Sequence, residues 1–241
     1  MSTEPYRYSA EPTRNPFQYL SAVWRFLRSD LETANVADAA IIQMGFNRSR
    51  LGRRVARWHE AVDHVRDFPG PGDAIERRRN FPRVVLEALE PLPQGSLGAV
   101  FAEHCRKEGI DPNLVQIPGD DEVGWFLDHL YKTHDIWHVL TGWGTDLAGE
   151  VGAAGFYCGQ LGSPPFFAYN LALILLNVTW RRGDVGELLE AFSIGLQSGK
   201  RAQPLFGVAW DDEWETPIAE LRLRFQIDPG DTIGRGIRIA A

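Results

Sequence analysis

Apolar side chains recur along this chain at the three- and four-residue spacing of amphipathic helices. The pattern is clear after Pro16, Ser49, Ser96, Asp184 and Thr216. These residue types are typical of helix starts, as N-caps or as a first-turn proline. No stretch alternates apolar and polar residues over five positions, so no strand is predicted. The pattern therefore predicts an all-α fold, a single-domain multi-helix bundle.

The domain organisation follows from where this periodicity begins and ends. Residues 1–15 lack it and are rich in Pro, Ser, Thr and Glu, which predicts a mobile N-terminal lead-in. A single helical domain is expected over residues 16–230, with a C-terminal tail at 231–241. The strongest interruption is the PGPG motif at 69–72, which we interpret as the end of the helix before it rather than as a domain linker.

The longest apolar stretch runs from Phe166 to Trp180. It contains Asn170 and Asn177 and is shorter than the roughly 20 residues that a membrane-spanning helix needs. We expect either a buried helix or the wall of an apolar cavity for a greasy ligand. The first 20 residues have no basic segment followed by an apolar one, so no secretory signal is expected.

Charge and cysteine content limit the possible partners and the possible location of the protein. The net charge of −7 argues against a nucleic-acid partner, because neutralising phosphates needs an excess of Lys and Arg. The two cysteines, Cys105 and Cys158, are too few for a disulfide framework and fit a reducing compartment, so a cytoplasmic location is expected. The five arginines from Arg48 to Arg57 form a local positive cluster in this acidic chain. They form either a solvated helix face or a contact for anionic lipid or a phosphorylated ligand.

Two histidines suggest a metal site. His134 and His138 are four residues apart, so on a helix they lie one turn above each other and can hold one divalent ion. Asp135 is rotated by about 100° from His134 on an ideal helix, so it is expected to reach the ion from the side or through water. It is either a ligand or a residue that orients a ligand.

Glu150 is the fourth candidate ligand. On a straight helix it would lie roughly 18 Å beyond His138, out of reach of the same ion. Gly142 and Gly144 favour a break in the helix, and a second helix starting near Thr145 would return Glu150 to the site.

The ligand types leave the metal and the reaction open. Mixed histidine and carboxylate ligation suits Zn, Fe, Mn or Co, with Mg also considered. A zincin peptidase is disfavoured, because Asp135 stands where that motif has Glu. A His-Asp phosphohydrolase would need further His and Asp ligands on separate helices. The histidines that could supply them are interpreted instead as surface or core residues, namely His59, His64, His104 and His129.

The segment HDIWHVLTGWGTDLAGE at 134–150 resembles the H-D-x-x-H-x11-E signature of the ubiquinone (coenzyme Q) biosynthesis protein four family. The four signature positions are occupied by His134, Asp135, His138 and Glu150. Further segments are similar to the family: GSLGAVFAEH at 95–104, DDEVGWFLDHLYKTHD at 120–135 and WETPIAELRLRFQI at 214–227. The resemblance extends from about residue 81 to residue 229. The chain departs from the family pattern at Trp143 and Gly144, where a smaller apolar residue and a proline are expected.

The resemblance implies an all-helical protein with an apolar cavity for an isoprenoid tail beside one divalent metal ion. The four signature residues would be its metal ligands and catalytic residues. The implied reaction is oxidative decarboxylation of a polyprenylated hydroxybenzoate, in which a hydroxyl replaces the C1 carboxylate. A non-catalytic lipid-binding scaffold for quinone-biosynthesis enzymes is the alternative, and a metal-dependent hydrolase is the second alternative.

The resemblance also implies partners and a location. Other quinone-biosynthesis proteins and an isoprenoid lipid are the expected partners, and a homodimer is the expected assembly. As a bacterial homologue, the protein is expected in the cytoplasm, peripheral at the inner face of the cytoplasmic membrane.

Overall fold

A computed structural model describes residues 16–28, 54–113, 121–181 and 183–232. Within these ranges the chain is helical and forms no strand, apart from an isolated antiparallel bridge between Ser96 and Pro217. The all-α prediction is confirmed. The expected N-terminal lead-in, most of the arginine-rich segment and most of the C-terminal tail lie outside the described residues.

The described α-helices are, in chain order, α1 Pro16–Arg28, α2 Trp58–Arg66, α3 Pro69–Arg77, α4 Leu86–Leu89, α5 Leu97–Glu108, α6 Glu122–Thr141, α7 Leu147–Gln160, α8 Pro165–Trp180, α9 Gly186–Arg201 and α10 Ile218–Phe225. A short 3-10 turn at Trp210–Asp212 lies between α9 and α10, and another at Pro229–Asp231 follows α10. The cap expected at Ser96 is confirmed, because its side chain accepts a hydrogen bond from the amide of Ala99.

The helix before the PGPG motif at 69–72 ends just ahead of it, as predicted, but the motif itself starts a helix, which was not predicted. Helix α2 has already ended at Arg66, and α3 begins at Pro69 after the extended residue Phe68. The first amide groups of a helix have no acceptor within it, so prolines in the first turn lose no hydrogen bond. Proline therefore favours a helix start here rather than a break.

Helix α6 passes through the core and is buried on almost all sides. Fully buried aromatic side chains lie on this helix and on the segments around it: Phe101, Phe126, Trp137, Trp143, Phe156, Phe206 and Trp210. Large rings in a close-packed interior leave little freedom for the backbone that carries them. The helix that contributes most of the predicted metal ligands is consequently held from several directions.

Helices α7 and α9 cross at a separation that only glycine permits. A Cβ atom added at Gly195 of α9 would lie 1.9 Å from the carbonyl oxygen of Gly152 in α7. Backbone atoms at that distance overlap, and a rigid helix cannot give way as a side chain would. The two backbones therefore touch directly, and this contact fixes the orientation of α7.

We expect Gly195→Ala to lower the free energy of unfolding by about 2 kcal/mol, because the added methyl group forces the two helices apart. Gly70→Ala in α3 is the matched control, since no atom lies within 4 Å of a Cβ added there. The control should be neutral or slightly stabilising, because alanine favours helix over glycine. Urea denaturation of both variants measures the effect, and equal stability would contradict the close crossing.

Helix α8 is less buried than its composition predicted. Its inner side packs against Ala148, Val151 and Leu188 of the neighbouring helices, but Tyr169, Leu176 and Trp180 are exposed. The first of the two alternatives, a buried helix, is wrong for this side of α8, because an apolar sequence does not show how many of its faces have a partner. The second, the wall of an apolar cavity, stays a prediction. No helix in the described residues combines the length and apolarity needed to cross a membrane.

Candidate metal centre

The predicted turn between the two ligand-bearing segments is present. Helix α6 ends at Gly142, whose φ of 83° is in the left-handed region that favours glycine. Helix α7 starts soon afterwards, with Asp146 accepting a hydrogen bond from the amide of Gly149 at 2.8 Å. The reversal brings Glu150 Oε2 to 3.8 Å from His138 Nε2.

Gly152 and a hydrogen bond from Thr145 to Glu108 allow α7 to begin close to the end of α6. A Cβ atom added at Gly152 would lie 2.4 Å from the ring of Trp143, so only glycine leaves room for that indole. The hydroxyl of Thr145 donates a hydrogen bond to Glu108 Oε2 at 2.8 Å, which ties the connection to α5. Together they keep the first turn of α7, and with it Glu150, against the site.

Backbone carbonyl groups orient both histidines. Nδ1 of His134 lies 2.7 Å from the carbonyl oxygen of Tyr131, and Nδ1 of His138 lies 3.1 Å from that of Trp143. A carbonyl oxygen only accepts, so each Nδ1 carries the hydrogen. In a neutral ring this assigns the lone pair to Nε2, the arrangement found for histidines that bind metals.

Both Nε2 atoms face carboxylate oxygens. His134 Nε2 lies 3.0 Å from Asp135 Oδ1, and His138 Nε2 lies 3.8 Å from Glu150 Oε2. Two ligand atoms about 2.1 Å from one ion lie roughly 3.0 Å apart at a right angle and roughly 3.4 Å apart at a tetrahedral angle. The His134–Asp135 separation matches the first of these values, whereas the His138–Glu150 separation is longer than both. The residue types suit a divalent ion, but only the first pair has the spacing of two ligands of one ion.

The four residues form two pairs rather than one tight cluster. The ring centroids of His134 and His138 are 5.8 Å apart, and their planes are inclined at 81°. Over the described ranges, no three His, Cys, Asp or Glu side chains are already gathered closely enough to hold an ion. Binding of one ion by all four residues would require side chains to rotate, and the half-exposed Glu150 has the most freedom to do so.

The site lies between the core and the solvent. The side chain of His138 is 1% exposed and that of Asp135 is 12% exposed, whereas Glu150 is 51% exposed. The buried side is closed by packed rings and the Glu150 side is open. The site is therefore accessible to solvent through Glu150 and closed on the side of His138.

The charge balance of the site is visible in the pKa of His134. Burial alone would lower this pKa, but the carboxylate of Asp135, the Tyr131 carbonyl and Glu150 together raise it above its ordinary value. The surroundings thus favour a positive charge on or beside this imidazole. A metal ion would replace the proton in the same negative environment.

Arg222 of α10 stabilises the end of α6. Its guanidinium donates hydrogen bonds to the carbonyl oxygens of Leu140 at 2.8 Å and Val139 at 3.0 Å. These carbonyls belong to the last turn of a helix, where acceptors lack intrahelical partners and a cation is favoured. Arg222 therefore helps to hold the segment that presents the Trp143 carbonyl to His138.

Tyr157 beside the site was missed in the sequence, and His104 was interpreted only as a surface or core residue. The hydroxyl of Tyr157 donates to the carbonyl oxygen of His134 at 3.0 Å, and burial, then Asp135 and Glu150, raise the pKa of this phenol. His104 of α5 is 4% exposed, its Nε2 has no hydrogen-bond partner, and burial and then the charge of His138 lower its pKa. Tyr157 follows Glu150 by seven residues, so two helical turns place them on one face, and that spacing was the available signal.

The family model described as "Coenzyme Q (ubiquinone) biosynthesis protein Coq4" matches residues 75–231, which include α5, α6, α7 and the whole candidate site. The chain belongs to this family. The resemblance stated from the sequence is confirmed. The matched range also agrees with the expectation that the similarity begins near residue 81 and is weak before it.

Curated relatives carry the same family name. The chain is 29% identical over 195 residues to "Ubiquinone biosynthesis protein COQ4, mitochondrial" of Pyricularia oryzae, a match that covers 75% of this chain and 64% of that protein. It is 26% identical over 176 residues to the mitochondrial COQ4 homolog of Rattus norvegicus, covering 69% of this chain and 64% of the relative. The chain thus spans a little under two thirds of the length of these relatives.

A solved structure has the same fold. The crystal structure of a putative ubiquinone biosynthesis protein from Nostoc punctiforme superposes with a TM-score of 0.70 at 23% identity, covering 88% of this chain and 97% of that one. At this identity the likeness shows the fold alone and carries no residue roles.

The expected location needs correction. The cytoplasm and the inner face of a bacterial cytoplasmic membrane were predicted, whereas the curated relatives are named as mitochondrial proteins. The cytoplasmic part of the prediction rested on cysteine content, which does not distinguish one reducing compartment from another. The bacterial membrane was expected because the chain was interpreted as a bacterial homologue of the family.

Proposed function

We propose that this Coq4-family chain is a metal-dependent enzyme of ubiquinone biosynthesis that oxidatively decarboxylates a polyprenylated hydroxybenzoate. The observation that supports the proposal is the pair of imidazoles whose Nδ1 atoms are engaged by the carbonyls of Tyr131 and Trp143, with both Nε2 atoms facing carboxylates. The names of the relatives support the pathway, the family resemblance suggests the reaction, and the donor set would hold the metal ion that the reaction uses.

In this proposal His134, His138, Asp135 and Glu150 hold one divalent ion. The ion, when bound, supplies a Lewis acid that fixes the aryl carboxylate and stabilises negative charge on the ring oxygen. The buried wall formed by Trp137, Tyr157 and Phe156 excludes water from one side, while the open side at Glu150 admits the substrate.

The overall reaction breaks the bond between ring carbon C1 and the carboxylate, releases carbon dioxide and forms a carbon–oxygen bond at C1. The ring carbon is oxidised, with dioxygen as the oxidant. If two electrons come from a separate donor, one oxygen atom enters the product and the other leaves as water. Zinc has no redox chemistry, so direct activation of dioxygen at the ion would require Fe, Mn or Co.

The proposal is tested by incubating the purified protein with a prenylated hydroxybenzoate in air and under anaerobic conditions, with an electron donor present. Separate samples are loaded with Fe, Mn, Co, Zn or Mg. We expect mass spectrometry to show loss of the carboxylate and gain of a hydroxyl in air only. Absence of product with every metal would contradict the enzymatic function.

The alternative is a non-catalytic scaffold that presents a polyprenyl intermediate to other quinone-biosynthesis proteins. It predicts an ion closed by four protein ligands, whereas the half-exposed Glu150 favours a site with open positions. Contact with those proteins, a peripheral membrane position and a homodimer are retained as expectations that follow from the family.

A further inference from the structure

Helix α5 carries a buried histidine that the proposed function does not use. His104 is 4% exposed, and its Nε2 has no hydrogen-bond partner within the described residues. A ring nitrogen that loses water on burial without gaining a partner costs folding free energy. An apolar residue would fill the same place without that cost, so the imidazole calls for a function in its surroundings.

His104 lies on the side of α5 that faces the candidate site. It precedes Glu108 by four residues, so the two side chains share one face of the helix. Glu108 Oε2 accepts the hydrogen bond at 2.8 Å from the hydroxyl of Thr145, in the connection between α6 and α7. The face of α5 that carries His104 therefore contacts the segment that joins the two ligand-bearing helices.

Asp135 lies on the opposite side of α6 from the ring that contacts α7. The ring centroid of Trp137 is 4.7 Å from that of Tyr157 in α7. Asp135 precedes Trp137 by two residues, which corresponds to about 200° around an ideal helix. The Asp135 side chain is nevertheless only 12% exposed, so an element other than α7 covers it. Helix α5, which packs against α6, can supply that cover.

The charges of the site act on two consecutive residues of α5. Burial and then the charge of His138 lower the pKa of His104, while the carboxylate of Asp135 acts in the opposite direction. Burial, followed by the Asp135 carboxylate, raises the pKa of the neighbouring Cys105 thiol to about 12. Asp135 is thus close to both residues, which agrees with its place on the α5 side of α6.

We propose that His104 is a positioning residue for the candidate metal centre, in which its Nε2–H donates a hydrogen bond to the carboxylate of Asp135. A carboxylate has two oxygens and about four lone-pair sites. Oδ1 of Asp135 faces Nε2 of His134, which leaves Oδ2 for a donor from α5. The hydrogen bond forms as the side chains rotate around the ion, and it holds Oδ1 toward the metal.

A hydrogen bond of this kind matters because it restricts the ligand before the ion arrives at its final position. Carboxylates that bind metals are in turn held by hydrogen bonds from surrounding residues, and loss of such a residue costs 10- to 100-fold in metal affinity. His104 would touch Asp135 and not the ion. The inference rests on the metal centre of the proposed function, but it does not depend on the reaction proposed there.

His129 provides a matched control for His104. It is 5% exposed, and its ring nitrogens also have no hydrogen-bond partner within the described residues. After burial, the charges that act on the pKa of His129 are those of Lys132 and Arg79, and none of the four signature residues is among them. Replacing either histidine by Leu removes a buried imidazole, but only one of them lies beside a candidate ligand.

The test measures affinity for Zn and Mn by chelator competition at pH 7.5, on the full chain and its variants. We expect His104→Leu to lower the affinity about tenfold or more, as for other residues that orient a metal ligand. His104→Gln retains an N–H donor and should keep most of the parent affinity. His129→Leu should bind like the parent chain, and circular dichroism checks that each variant is folded.

A second comparison separates positioning of Asp135 from a general loss of packing. If His104 acts through the Asp135 carboxylate, His104→Leu should change the affinity by no more than about twofold in a chain that already carries Asp135→Asn. A loss of the same size in both backgrounds would overturn the proposal, because His104 would then support the fold alone. A Gln variant as weak as the Leu variant would also overturn it, because the donor would be irrelevant.

The remaining outcomes separate this inference from the proposed function. Equal affinity of the parent chain and His104→Leu would overturn the positioning role, whether or not the parent chain decarboxylates its substrate. A loss of affinity in His104→Leu, with no decarboxylation by the parent chain, would leave the positioning role standing and count against the proposed reaction alone. A parent chain that binds neither ion would overturn the positioning role together with the metal centre.

Discussion

Replacing His138 by Gln is expected to weaken metal binding by at least about a hundredfold. His138 is fully buried, its ring is fixed by the Trp143 carbonyl, and its Nε2 faces Glu150. Loss of a residue that merely orients a ligand costs 10- to 100-fold in metal affinity, so loss of the ligand itself costs more. Glutamine retains a donor for the Trp143 carbonyl, which limits the change to the metal side of the site.

Chelator competition with Zn and Mn measures this effect on the parent chain, on His138→Gln and on His59→Gln. His59 is exposed on α2 and far along the chain from the four signature residues, so its variant should bind like the parent. Equal affinity in all three proteins would show that the ion, if bound, lies elsewhere. A parent chain that binds neither ion at millimolar concentration would remove the basis of the proposed metal centre.

The geometry also bears on the role of Asp135. On an ideal helix this residue was expected to reach the ion only from the side, as a ligand or as an orienting residue. Its Oδ1 lies beside Nε2 of His134, whereas the orienting contact to Nδ1 comes from the Tyr131 carbonyl. Asp135 therefore faces the side on which the metal would lie, which favours the role of ligand.

Much of the site was accessible from side-chain spacing alone. The four-residue interval of the histidines and the glycines after Thr141 predict two ligands on one helix and a reversal that returns Glu150. The carbonyl partners of the two histidines could not be predicted, because every residue has a carbonyl group and its direction depends on the local backbone. The contact from Arg222 was equally hidden, since it joins residues more than 80 positions apart.

The helices were easier to predict than their surroundings. Periodicity located α5, α6 and α9, but it indicated only that a face is apolar and not what covers it. For helix α8 the sequence consequently left a buried helix and a cavity wall as alternatives, and it did not show that one side is exposed. The PGPG motif was not recognised as a helix start for a related reason, because proline is disfavoured inside a helix and favoured in its first turn, and the sequence alone left the choice open.

The buried imidazole of His129 is the feature of α6 that stability measurements should reveal most clearly. It is 5% exposed, it stacks on Trp125 at 5.3 Å, and its other neighbour is the edge-on ring of Phe206 at 4.9 Å. Neither ring nitrogen has a hydrogen-bond partner. Burial, followed by the charges of Lys132 and Arg79, lowers the pKa of His129 to about 4.

A lowered pKa makes the folded state sensitive to acid in a defined range. Above pH 6.5 His129 is neutral in both states and contributes no pH dependence. As the pH falls from 6.5 toward 4, the unfolded chain binds a proton that the folded chain does not, so the free energy of unfolding decreases. A difference of this size between the two pKa values corresponds to a loss of about 3 kcal/mol at pH 4.

His129→Leu is therefore expected to stabilise the protein by about 2 kcal/mol at pH 7.5, because two unpaired buried nitrogens are replaced by an apolar group of similar volume. The advantage over the parent chain should widen by about 3 kcal/mol between pH 6.5 and pH 4. Urea denaturation at pH 7.5, 6.5, 5.5 and 4.0 measures both quantities, with His59→Leu as the exposed control. A constant difference across this range would mean that His129 is protonated equally in the folded and unfolded states. A variant less stable than the parent would mean that stacking on Trp125 outweighs the desolvation of the ring nitrogens.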